Sequence, residues 1–370
     1  MSEKHSDFGC IRFHNSQFSR LATEAGNQGC MGSDGKILAN AFSASSRTTE
    51  AYLQAVMDGF DGQVSAEFYV LSRQLMQLTL LHALYVSAGR QVFQFTPKIL
   101  ADFKRTDLSE TPIGKLTLPY PAGFIHLGLQ EDLALDEWWR TEAEFVDGAY
   151  FHSGPEGQLT IQLTLSRPGG NWSKLPGPSF SIPQANLNLP AHEAIDKALD
   201  ADIAETEDNR FKEEIHDTVQ EWDASTRPVV HAALSLVLNA LFYLDGYGAD
   251  TDLIVPDEAP QIARESYEKA VKGGKPKAIR NARNALMVDG FTVVRLCGIA
   301  AAYSAVQDDA EKDSHAVRTH WRRGHWRMQP CGPKLSQVKR VWVRPTLVGK
   351  DAGGAVKGHV YSVDGVPVVK

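Results

Sequence analysis

The stretch Glu142–Leu165, EAEFVDGAYFHSGPEGQLTIQLTL, reads as two strands and a turn, and it sets the fold class. Residues 145–152 and 158–165 are rich in β-favouring side chains, the second run in strict alternation. Gly154-Pro155-Glu156-Gly157 lies between them as a turn. Period-two alternation gives a strand one buried and one exposed face, and so short a connection joins antiparallel neighbours. On either side the periodicity changes to that of helices. Glu67–Ala88 (EFYVLSRQLMQLTLLHALYVSA) and Val229–Leu244 are apolar at helical spacing and predict two core helices. The expected fold is therefore α+β: helices packed on antiparallel sheets, in two lobes, with a basic β-hairpin near the C-terminus.

The rest of the chain fills in that outline. Residues 1–46 carry Ser, Asn and Gly without a sustained period and predict a flexible N-terminal arm. A helix over Thr48–Phe60 opens an N-terminal lobe of residues 47–168. Gly89 ends the 67–88 helix, Gln91–Phe95 is a strand, and Thr96-Pro97 starts a short helix. The Pro/Gly-rich run 169–190 is the expected boundary. A C-terminal helical lobe of residues 191–349 follows. It holds an acidic helix at 192–223, then Arg227-Pro228 opening the second core helix, then mixed-charge helices at 257–271 and 275–287. In the last of these, Lys277, Arg280 and Arg283 share one side by their spacing. Residues 307–313 read as a charged linker and residues 350–370 as a tail.

Composition bounds the function. The 370 residues are 43% hydrophobic and 22% charged, with a formal net charge of −7, which suits a globular protein and argues against indiscriminate coating of nucleic acid. The first ten residues lack the apolar core of a secretory signal, and no apolar run reads as a membrane span, so a cytoplasmic location is expected. The four cysteines are widely spaced and predict reduced thiols. No nucleotide-binding glycine loop, zinc-protease helix or serine-nucleophile elbow is present, and no cofactor is implied.

One segment departs from the background. His315–Pro345 (HAVRTHWRRGHWRMQPCGPKLSQVKRVWVRP) contains no Asp or Glu. Its candidate binding residues are Arg318, His320, Arg322, Arg323, His325, Arg327, Lys339, Arg340 and Arg344. Alternation on both sides of Arg323-Gly324 predicts two strands joined by a tight turn there, and Gly332-Pro333 marks a second turn before a strand at 338–343. Arg318, His320 and Arg322 would share a face, with Thr319 and Trp321 on the buried one. Trp321, Gly324, Trp326 and Trp342 are the expected structural positions. Guanidinium beside indole suits phosphate or carboxylate recognition. Several readings stay open: a solvated hairpin neutralised by the protein's own acids, an anion-binding surface, or an RNA-cleaving site with His320 and His325 as base and acid. The histidines lack a metal-ligand spacing, and no metal is expected.

The run His320-x-Arg322-Arg323-Gly324-His325-Trp326, with Val341-Trp342 and Pro345 after it, resembles a type V-A anti-CRISPR family. Collinear agreement extends through Leu71-Ser72-Arg73 to Phe95, Thr111-Pro112 to Leu118-Pro119, the 229–244 helix and the strand ending at Arg295. The resemblance implies a protein of a mobile element that suppresses production of the CRISPR effector nuclease. Its partner would be the nascent N-terminal peptide of that nuclease, with loss of the nuclease's mRNA, and contact to the mRNA or ribosome is compatible with it. A nucleic-acid-binding regulator of a plasmid or phage is the alternative. In either case the implied action is binding, with ribonuclease activity as the enzymatic possibility.

Overall fold

The computed structural model describes residues 9–14, 66–135 without 115, 143–207 without 155–156, 170 and 173–176, 212–247, 251–299 and 320–348. In chain order the elements begin with helix α1 (Gly9–His14), helix α2 (Ala66–Ser87), strand β1 (Val92–Phe95), helix α3 (Pro97–Phe103) and strand β2 (Thr106–Asp107). Strands β3 (Ala122–His126), β4 (Ala134–Leu135), β5 (Glu144–Ser153), β6 (Leu159–Arg167), β7 (Asn171–Trp172) and β8 (Ser179–Ile182) follow. Next come helix α4 (Ala191–Glu207), helix α5 (Lys212–Tyr247), strand β9 (Thr251–Ile254), helices α6 (Gln261–Gly273) and α7 (Pro276–Val288), and strand β10 (Val294–Cys297). Strands β11 (His320–Arg322), β12 (Gly324–Cys331), β13 (Gln337–Val343) and β14 (Thr346–Val348) close the described chain.

The protein is α+β, but its main sheet is mixed rather than antiparallel. The order is β7-β6-β5-β3-β1-β10-β9, with β4 beside β5 and β8 beside β6. The arm from β3 through β5 to β6 is antiparallel, as the short connection between residues 153 and 159 predicts, but β6 is buried on both faces rather than on one. At the centre, β1 runs parallel to both β3 and β10. Long crossovers rather than turns connect those strands, which is the connectivity parallel pairs demand. A central parallel strand is buried on both faces, so VFQF shows no alternation to betray its neighbours.

This sheet also takes strands from both sides of the 169–190 connection. That connection itself supplies β7 and β8, and β9 and β10 come from the expected C-terminal lobe. One core joins Phe93, Ile125, Phe151 and Leu163 to Ile195 of α4, to Val237 and Leu241 of α5, and to Trp326 and Trp342. On the other face, Val92, Phe124 and Tyr150 pack on Leu81, Leu84 and Tyr85 of α2. Each fully buried large apolar side chain stabilises by about 1.5–3 kcal/mol. The two halves of the chain thus share their cores.

Other expectations are corrected by this packing. Within residues 1–46, read from the sequence as a poorly ordered or loosely docked arm, α1 is helical and buries Cys10, Ile11 and Phe13 against α2 and the sheet. The acidic helical stretch 192–223 is split between α4 and α5, and α5 runs through Pro228 instead of starting there. Arg227, next to that proline, bonds Asp223 on its own helix at 2.9 Å and Asp200 of α4 at 2.8 Å, fastening the two helices. Residues 223–247 do reach the length and apolarity of a membrane span. Here the apolarity serves the core: Val237, Leu238, Ala240, Leu241 and Phe242 of that stretch are completely buried. The helix expected at 48–60, the linker at 307–313 and the tail 350–370 lie outside the described residues.

Candidate functional site

The cationic segment adopts a pairing different from the expected one. Among the described residues no hairpin forms around Arg323-Gly324. Instead β11 pairs with β14, and β12 pairs with β13 across the Gly332-Pro333 turn. Arg323 is where the chain leaves one ladder for the other. Gly324 then enters a parallel pairing with Thr106 of β2, and its N–H donates to the Arg105 carbonyl at 3.0 Å. A Cβ at position 324 would lie 2.6 Å from Thr106 Oγ1 and 2.7 Å from Pro345 Cδ, so only glycine permits this approach.

Alternation along the β12–β13 hairpin then sorts every side chain. On one face, Trp326 and Trp342 sit opposite each other, stacked with ring centroids 5.7 Å apart, and both are buried. Trp326 packs edge-on to Phe242, and Trp342 lies against Phe103 and Tyr243. Buried indoles need acceptors. Trp326 Nε1 donates to Asn239 Oδ1 at 2.8 Å, and Trp342 Nε1 to Thr106 Oγ1 at 3.1 Å. Asn239, the polar residue interrupting the apolar run of α5, is therefore the hairpin's anchor. Neither it nor Thr106 is found by inspecting the basic segment alone.

Two of the candidate binding arginines belong to this anchorage. The Arg340 side chain is only 4% exposed, pairs with Asp245 at 3.1 Å, donates to the Ile113 carbonyl and covers the Phe242 ring at 4.0 Å. Burial pulls this guanidinium down from its ordinary value, and Asp245 opposes the shift. Arg344 holds Asp102 of α3 through Nε at 3.2 Å and through Nη2. Both guanidinium groups are thus engaged by acids of the body, Arg340 buried and Arg344 partly exposed. Arg323 is intermediate: its side chain is half-exposed and bonds Asp107 at 3.3 Å. Burial raises the Asp107 carboxyl, but the Ser109 backbone and hydroxyl together with Arg323 outweigh it, leaving the group below its usual value.

The remaining cations face outward. Arg322, His325, Arg327, Lys334 and Lys339 are exposed. Trp321, expected to be buried, is 41% exposed and lies under the Arg105 guanidinium at 4.6 Å. Its strand pairs with the short β14 at the rim and not with β12. His320 lies on β11 and His325 on β12, in different sheets, so the pairing does not place the two on one ladder. Arg318 lies outside the described residues.

Beyond Trp326 and Arg340 the hairpin leaves the body. Residues 327–339 are exposed apart from the half-buried Cys331. The face that buries the tryptophans continues outward as Met328, Pro330 and Val338, with Met328 53% and Val338 59% exposed. Leu335 at the tip is 67% exposed. There Lys334 and Leu335 take φ values of 53° and 57°, left-handed conformations that non-glycine residues adopt at a cost. The opposite face carries Arg327, Gln329 and Lys339. Lys339 also lies over the Tyr247 ring of α5 at 5.6 Å, and an exposed apolar ledge backed by cations is what a docking surface needs.

A family profile for the "AcrVA2-like: Anti-CRISPR type V subtype A2 family" matches residues 93–350. The chain belongs to the AcrVA2-like family. The match runs from β1 past β14, so it takes in the mixed sheet, α5 and the hairpin. Among curated proteins no match was found. Among solved structures, "Crystal structure of AcrVA2" aligns with 84% of this chain and 97% of its own at 15% identity and a TM-score of 0.37.

Proposed function

We propose that this anti-CRISPR family member blocks biogenesis of a CRISPR effector nuclease by binding its nascent N-terminal peptide, which leads to loss of its mRNA. The observation that supports this reading is the outer half of the β12–β13 hairpin, an apolar and cationic ledge that the core does not use. A peptide leaving the ribosome is short and extended, the form that adds to a strand edge by main-chain hydrogen bonds. Among the described residues strand β13 is an edge of its sheet, and β12 is covered on its other side only by β2 at Gly324 and His325. Met328, Pro330 and Val338 would select side chains of the peptide. Arg327 and Lys339 would hold an acidic group of it, or phosphate of the neighbouring mRNA or ribosome, a contact that weakens steeply with salt. Action on a translating ribosome places the protein in the cytoplasm.

The test is capture of ribosome–nascent-chain complexes by the immobilised protein. Complexes displaying the effector's N-terminal peptide are expected to be retained, and those with a scrambled peptide released. Val338→Asp is expected to abolish retention while the protein stays folded. Equal capture of native and scrambled chains removes the reading.

A further inference from the structure

We propose a second ligand site: a pocket for the phosphate monoester of a nucleotide, free or at the 5′ end of an RNA, between α7 and the leading ends of β1 and β10. The cavity measures about 450 Å³, the size of small-molecule sites. Arg90, Arg280, Arg283 and Arg295 line it, and no Asp or Glu does among the described residues. In a protein of net charge −7, this is a local excess of cations with a defined shape. It is separate from the hairpin and does not rest on the peptide reading.

Three parts of the chain bring the four arginines to the pocket: α7 supplies Arg280 and Arg283, the turn after α2 supplies Arg90, and β10 supplies Arg295. On α7, positions 276, 280, 283 and 287 fall on one face and line the cavity, while Ala282 and Leu286 pack toward α6. Arg90 ends α2 with φ 56°, after Gly89 at 85°, its N–H bonded to the Tyr85 carbonyl at 2.9 Å. That left-handed position favours glycine or asparagine, so a cation held there points to a use for it. Arg295 of β10 is aimed by neutral partners: Nε bonds Gln91 Oε1 at 2.9 Å, and Nη2 bonds the Tyr120 hydroxyl at 2.6 Å. Its orientation is fixed without its charge being cancelled. Arg283 Nε is buried and has no acceptor among the described residues. A buried N–H of that kind calls for one.

The chemistry favours phosphate. One guanidinium saturates a carboxylate through two parallel bonds, whereas a phosphate monoester offers three oxygens and up to two charges to several arginines. The remaining wall combines apolar Leu253, Ile279, Met287 and Val293 with the neutral polar side chains Gln91, Asn284 and Thr292. That wall suits the flat body of a nucleoside better than bulk water around a bare ion.

Calorimetric titration of the full chain tests this with AMP, inorganic phosphate, succinate, and a short RNA bearing either a 5′-phosphate or a 5′-hydroxyl. AMP is expected to bind more tightly than inorganic phosphate or succinate. Arg283→Ala is expected to weaken AMP by about tenfold or more. Arg280→Ala, at an exposed position that does not endanger folding, is expected to weaken it in the same direction. Competition between 5′-phosphorylated RNA and AMP would assign the site to a chain end, and binding of AMP without that RNA would assign it to a free nucleotide. No AMP binding, equal affinity for succinate or inorganic phosphate, or unchanged AMP affinity in both variants overturns the proposal.

Discussion

The inner and outer halves of the β12–β13 hairpin are built from the same residue types and serve opposite ends. In the inner half, Trp326, Trp342 and Arg340 turn toward α5 and find Asn239, Thr106 and Asp245 waiting. In the outer half, Met328 and Val338 on the strands and Leu335 at the tip are more than half exposed, and Arg327 and Lys339 carry no ion pair among the described residues. An arginine's role here is decided by register and by distance from the body. Composition alone does not separate Arg340 from Arg327.

The contrast can be broken at its strongest point first. Arg340→Ala removes a buried guanidinium and leaves the partly buried Asp245 without its cation, and is expected to cost about 3 kcal/mol. Denaturant unfolding would read the loss, and replacing Arg340 and Asp245 together by apolar residues of like size should recover much of it. Asn239→Ala strands the Trp326 indole N–H, at a cost of about 1–3 kcal/mol in the same assay. Trp321→Ala, by contrast, removes a half-exposed ring and one cation–π contact with Arg105, worth about 0.5–1 kcal/mol. A shift in melting temperature as large as that of Asn239→Ala would mean that the rim strand is part of the core after all. Arg327→Ala and Lys339→Ala are expected to change stability by under about 0.5 kcal/mol, while nascent-chain capture falls and becomes less salt-sensitive.

The sheet itself supplies a pH test that the outer hairpin should ignore. Burial holds His152 of β5 below its ordinary value of 6.5. Above that value both folded and unfolded chains are neutral there, and the stability is complete. As the pH falls through it, the unfolded chain takes the proton first, so stability is lost until the depressed folded value is reached. A His152→Gln variant should lose that part of the acid dependence, as melting curves across this range would show.

Much of the sheet was legible because its strands are local. The 145–152 and 158–165 runs are joined by a few residues, and their pairing is written in alternation. The parallel centre was not, because Phe93 meets Arg295 across some two hundred positions of chain and a doubly buried strand shows no face. The basic segment was conspicuous, yet its inward and outward members could not be told apart. The partners that decide, Asp245, Asp102 and Asn239, lie far away in sequence. One clue was present in Asn239, a polar residue inside an otherwise apolar helix. The arginine pocket was half visible as Arg280 and Arg283 on one helical side. Arg90 and Arg295 join them only through the fold.

Amide hydrogen exchange with and without a synthetic effector N-terminal peptide addresses the central contrast directly. The free protein is expected to exchange rapidly over 327–339 and slowly over 324–326 and 340–343, and the added peptide to slow the outer half alone. An outer half already protected without peptide, or unaltered by it, would contradict the division of the hairpin into an anchor and a docking surface.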